Sequence, residues 1–221
     1  VAGLSTEQVS VIATDDLRAI TTATLRQLNT EQLGALDSAQ MGALTTVQVR
    51  ALTTEQVASL TTEDLNALNT QQFAALTSAQ VRGFSTEQIN TLETEDLRAL
   101  GTTGIRVFTS EQIGAINTEG IVAITSQQAA SLTSAQVAGL STEQVSVIAT
   151  DDLRALSTQA IKAFSTEQVA ALDTAQVAGL STGQVRVLSS DQLGAISTDA
   201  VTALTTSQFA SLTSAQVVGL T

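Results

Sequence analysis

The chain has 221 residues and a net charge of −12, with 21 acidic and nine basic side chains and no His, Cys, Trp, Tyr or Pro. Lacking cysteine, it has no disulfide framework and no thiolate chemistry. Its charge runs against nucleic acid and anionic membrane surfaces, both of which call for clustered Lys and Arg, and no apolar run approaches the length of a membrane span.

A period of eight residues runs through the whole chain without a slip in phase. In Leu140-Ser141-Thr142-Glu143-Gln144-Val145-Ser146-Val147, labelled slots a to h, slot a recurs every eighth residue from Leu4 to Leu220 and is always Leu, Ile or Phe. Slot f, from Val1 to Val217, is always apolar, with Ala129 its only small occupant. Slot c is only Thr or Ser. A period held this long marks a repeat array in which each unit stacks on its neighbours.

Each octad reads as the entrance of a short helix. Ser141 in slot b suits an N-cap, whose side-chain oxygen accepts from a backbone N–H left free in the first turn. Gln144, three residues on, can return the favour to the cap's own N–H, which makes slots b and e a capping box. Leu140 and Val145 on either side are the two halves of a hydrophobic staple. Slot b is Ser, Thr, Asn or Asp in 23 of 27 octads and slot e is Gln in 18, too regular for coincidence. Fourteen of the 21 acidic residues stand in slot d, at the positive end of the helix dipole, and all nine basic residues stand in slot g, nearer the negative end. Pairs three apart, such as Asp15 with Arg18 or Glu95 with Arg98, can meet on the helix surface.

The helices must be short, because the next cap arrives eight residues later. One continuous helix would carry its apolar stripe round by about 80° per octad. In a flat strand slots a and f, five apart, would point to opposite faces. The expected fold is therefore all-α, a repeat solenoid of short capped helices, one per eight residues. A β-solenoid that turns corners within each octad is the alternative, since Thr and Val suit strands. Slot h is mostly Ala or Gly, as at Ala35, Ala67, Gly83, Gly139 and Gly179, small enough for close backbone approach.

In chain order, the octads from Val1 to Leu76 are regular, with Gln27 and Val47 as small departures. Gly101-Thr102-Thr103-Gly104 loses both the cap side chain and the Gln of slot e. Gly120 replaces that Gln again, and Ala129 weakens the next staple. Residues 101–132 are thus the softest part expected, a place of drift within a redundant array or a docking point. A longer echo, in which Val1 to Asp16 resembles Val137 to Asp152, reflects duplication and does not fix the number of units per turn. The unbroken phase makes 1–221 a single array. Its ends fall inside octads, so a segment of a longer chain is expected, with the apolar residues Val1, Leu4, Val217 and Leu220 partly bare unless something covers them.

Chemistry is sparse. The hydroxyls are caps and the acids stand at helix entrances, so no nucleophile–base pair, and no catalytic, cofactor-binding or metal-binding residue, is expected. The doublets Asp15-Asp16, Glu63-Asp64, Glu95-Asp96 and Asp151-Asp152 lack the alternating spacing of calcium loops, and Met41 is the only conventional haem axial ligand.

Through Ser5 to Ile12, Thr53 to Leu60 and Ser141 to Ile148, the octad resembles the Ser/Thr-Thr-Glu/Ala-Gln-Val-x-Ala-Leu tracts of very long bacterial surface proteins, often labelled adhesion or haem-utilisation proteins. The resemblance covers the whole chain. It implies an exported, surface-associated protein, extracellular or at the cell surface. The expected function is a structural stalk or filament segment with no enzymatic activity, meeting adjacent repeats or copies of itself end to end. The alternative is a solenoid binding module for a protein or glycan partner, without nucleic-acid binding or membrane insertion.

Overall fold

The computed structural model describes residues 3–219. Among them the chain forms 27 α-helices and no strand, from α1 (Thr6–Ser10) to α27 (Ser214–Gly219), each four to seven residues long. The all-α expectation holds and the β-solenoid alternative falls. The slot e and slot b side chains stabilise helix entrances, where the strand propensity of Thr and Val is overridden.

Helix α18 (Thr142–Ser146) shows why the sequence folds this way locally. Ser141 is extended, with φ −74° and ψ 162°, and its Oγ accepts from the Gln144 N–H. Gln144 Oε1 in turn accepts from the Ser141 N–H at 2.7 Å, closing the capping box. The same box closes at α1, α5 (Ser38–Ala43) and α17 (Ser134–Ala138). Where slot b holds Ala or Glu, at α2 (Thr14–Ala19), α12 (Thr94–Ala99) and α19 (Thr150–Ala155), no side chain caps the helix. The Glu7 and Glu167 carboxylates of slot d are held below the usual carboxylate range, first by the backbone N–H of their own residues and then by the hydroxyls of Ser5 and Ser165. Asp15 and Arg18 form the expected pair across one turn, at 3.7 Å.

Slots a and f make the core. Val49, Leu52, Val57 and Leu60 are buried in one stretch, and Val137, Leu140, Val145 and Leu153 in another. A helix of five residues cannot hold itself together in water, since isolated helices below about 12 residues are marginal. Each is held by helices of other turns. Helix α5 packs on α2, α12 on α9 (Thr70–Ala75), and α17 on α14 (Ser110–Gly114), each time three helices away. The chain forms two compact units, Val1–Val107 and Phe108–Thr221, each built on this plan.

Slot h is where turns touch most closely. A Cβ added at Gly139 would stand 2.5 Å from the Ser110 carbonyl oxygen, and one at Gly179 would run into the Thr150 methyl. Slot h thus packs on slot c of the turn before, which is why it stays small.

Residues 101–132 depart from the pattern in two different ways. Gly101 is not a failed cap. It has φ +60°, in the left-handed region that favours glycine, and α13 (Gly101–Val107) begins directly after the helical Leu100. Ala129, by contrast, leaves a hole. A cavity of about 20 Å³ lies among Ala129, Ile113, Ile121, Leu140 and Leu156.

The ends of the array were expected to be partly bare. Leu4 is half-buried and Val217 is 53% exposed, while Val1 and Leu220 lie outside the described residues.

Candidate functional site

The most regular chemical feature of the molecule is a ladder of slot e glutamines. From Gln32 onward these side chains are buried, among them Gln40, Gln56, Gln80, Gln144, Gln176 and Gln208. Their Oε1 atoms serve the cap of their own helix, and their Nε2 atoms turn the other way. Gln80 Nε2 donates to the carbonyls of Val49 and Leu52 at 2.9 and 2.8 Å, which lie 31 and 28 residues earlier. In the second unit Gln144 Nε2 donates to Ile113, Gly114 and Ile116 at 3.2, 3.1 and 2.6 Å. Gln176 does the same to Val145 and Ile148, and Gln208 to Val177 and Leu180.

The accepting carbonyls belong to slots f, g and a, the last turn of a short helix and the residue after it. A helix leaves its last four carbonyls unpaired, and buried unpaired carbonyls are costly. One primary amide therefore closes the entrance of its own helix and the exit of a helix in the turn before. A reach of 28 residues is three and a half octads, so the amide of each helix passes the helix three before it, on which that helix packs, to the exit of the one before that.

A second, outer set of bonds runs at 25 residues. Arg18 Nε donates to the Ala43 carbonyl at 3.0 Å, Asn66 Nδ2 to Thr91 at 2.9 Å, and Ser134 Oγ to Gln159 at 3.1 Å. Slot g and slot c side chains thus also hold the next turn, a role their spacing alone does not reveal.

The acidic doublets are divided by the fold. Glu63, Glu95 and Asp151 are exposed, whereas Asp64, Asp96 and Asp152 occupy slot e and are buried. Asp64 accepts from the Thr61 hydroxyl at 2.6 Å, and Asp152 accepts from the Ser126 hydroxyl. In Asp15-Asp16 both residues are exposed. Among the described residues no group of three or more acidic, His or Cys side chains gathers as a metal cluster would require. Met41 is wholly buried in the core as a slot f residue.

The ALTTAQ repeat model matches residues 9–46, 60–94, 89–126, 145–182, 177–206 and 185–221, most of the chain. The chain belongs to the ALTTAQ repeat family. The six letters of that name read directly onto Ala51-Leu52-Thr53-Thr54-Glu55-Gln56, save that Glu55 stands for the second Ala. In structural terms an ALTTAQ unit is the small contact residue, the inner Leu, the cap and the ladder Gln. A comparison with curated proteins gives no match.

Proposed function

We propose that this ALTTAQ array is a structural segment, a stalk or filament portion of an extracellular, surface-associated protein, without catalytic activity of its own. The observation that carries this reading is the ladder. Its polar side chains are taken up in joining one turn to the next: the amides close helix ends, the hydroxyls cap, and the small residues admit the neighbouring backbone.

The two faces of a turn are complementary, which supports assembly by continuation. On the earliest described turn Gln8 is exposed and Leu4, Ile12 and Ile20 are half-buried, whereas Gln80, Phe84 and Leu92, in the same slots of inner turns, are buried. On the latest, Phe209 is 44% exposed and Val217 53%, although Val145, Val169 and Val185 of the same slot f are closed over. Each face presents what the other covers inside the array. Further octads, or a second copy set end to end, are the partners we propose. The surface-protein, adhesin-like and bacterial character implied by the repeat resemblance is part of the same proposal.

Electron microscopy of the native material tests it. Extended fibres or stalks of constant width are the expected result, and compact particles with no tendency to associate would overturn it.

A second reading, a binding module for a protein or glycan, draws on one polar groove of about 270 Å³ lined by Arg26, Asn29, Thr30, Thr53, Glu55 and Gln56. A glycan-array signal lost in Arg26→Ala would favour that reading over the first.

A further inference from the structure

Slot e holds a donor wherever it holds Gln, and Asp96 is the most buried of the acids that stand there instead. The residue is buried, 3% exposed. It closes no capping box, because slot b is Glu93 and no side-chain cap forms at α12. By ladder register, slot e at 96 answers to the carbonyls of Leu65, Asn66 and Leu68, which lie 31, 30 and 28 residues earlier, the separations that Gln80 Nε2 spans to Val49, Arg50 and Leu52. An ionised carboxylate is acceptor-only and brings no hydrogen to that row. The same joint holds a second acceptor short of a donor. Asn66 Oδ1 is buried without a partner, while Asn66 Nδ2 is committed to the Thr91 carbonyl just before α12.

We propose that Asp96 is a proton-operated joint of the array: protonated, its carboxyl O–H supplies the donor that Gln supplies in other turns, and ionised, it leaves the acceptor row of the preceding turn open. The proton comes from and returns to solvent, and no other bond changes. The surrounding charges work in the same direction. Glu93 and Glu95 lie on its own helix entrance; α9, packed against α12, carries no charged residue. Helix α8 (Thr62–Asn66), whose exit carbonyls it faces in register, carries Glu63 and Asp64. On its own helix Arg98 stands in slot g. Burial first, then Glu93 and Glu95, push the Asp96 carboxyl up to about 7 from 3.8.

With the folded value above the unfolded one, the folded chain binds the proton more tightly between those two values. The stabilisation is fully present below the unfolded value and is lost as pH rises through about 7. The chain contains no His and no Cys, so the interval from about pH 5.5 to 8.5 holds no other side chain that ordinarily titrates there.

Thermal melts of the full chain across that interval test the inference. The wild type should lose roughly 3 °C or more in Tm on going from the acid to the alkaline side. Asp96→Asn, a permanent donor of the same shape, should remove that step and keep the higher Tm throughout. Glu95→Gln should keep the step and move its midpoint to lower pH. Carbon-13 NMR of the Asp96 carboxyl should titrate with the same midpoint. A flat wild-type profile, or a step that survives in Asp96→Asn, would overturn the proposal. So would a midpoint that moves with added sodium or calcium ion, which would make the acceptor row a cation site instead.

Discussion

At the scale of single residues, the glutamine of slot e does two jobs with one amide, and substitution separates it from its neighbours. Gln144→Ala removes the return half of a capping box, worth about 1 kcal/mol. It also strips the donor from the Gly114 and Ile116 carbonyls one turn away, while Ile113 keeps the Ile116 N–H, at about 1–3 kcal/mol for buried groups left unpaired. We expect a loss of about 2–4 kcal/mol in denaturant melts. Ser146→Ala, two residues on, gives up only an exposed bond to the Glu143 carbonyl and should fall within about 0.5 kcal/mol of wild type. Equal effects would mean that the ladder adds nothing to stability. Gln144→Glu keeps the capping oxygen and loses the donor, so its cost at neutral pH isolates the bond between turns from the cap.

At the scale of the element, the helix entrances were legible in the sequence and the turn length was not. Cap, staple and charge placement lie within eight residues, so Ser141, Gln144 and Val145 display them directly. The partners of Gln144 Nε2 lie 28–31 residues earlier, and an eight-residue phase is equally compatible with any turn length. One signal did point to a missing acceptor. Glu would close a capping box as well as Gln, yet slot e never contains Glu while slot d is rich in it. That asymmetry calls for a donor. The stretch at 101–132 carries two irregularities that look alike in the sequence and have opposite physical meanings, and two substitutions show it. Gly101→Ser restores the common cap residue and should still destabilise by about 1–2 kcal/mol, because the left-handed backbone there penalises any Cβ. A gain would mean that the segment can revert to an ordinary cap. Ala129→Val should fill the cavity beside Ile121 and Leu140 and raise stability by about 1 kcal/mol. A lower Tm in that variant would show the space to be too narrow for two more methyl groups.

At the scale of the whole molecule, no helix is an independent structure, and stability must grow with the number of turns. Because ladder bonds reach back 28 residues or more, a chain of seven octads would leave most of its ladder bonds without one end. Chains of about seven, fourteen and twenty-seven octads should therefore melt at rising temperatures that level off, as in a one-dimensional array. A melting temperature independent of length would contradict the neighbour-coupled reading. The ladder also has a direction. Every described Gln Nε2 bond between turns runs from a later residue back to an earlier one, as from Gln40 to Ile12 or from Gln216 to Leu188. A growing or secreted chain that emerges amino end first can thus lock each new octad onto a turn already complete, without waiting for residues still to come. Pulled from its carboxyl end, the same chain would peel back one octad at a time, each step releasing one ladder side chain with its outer contacts, so that it would lengthen gradually under load instead of snapping at once.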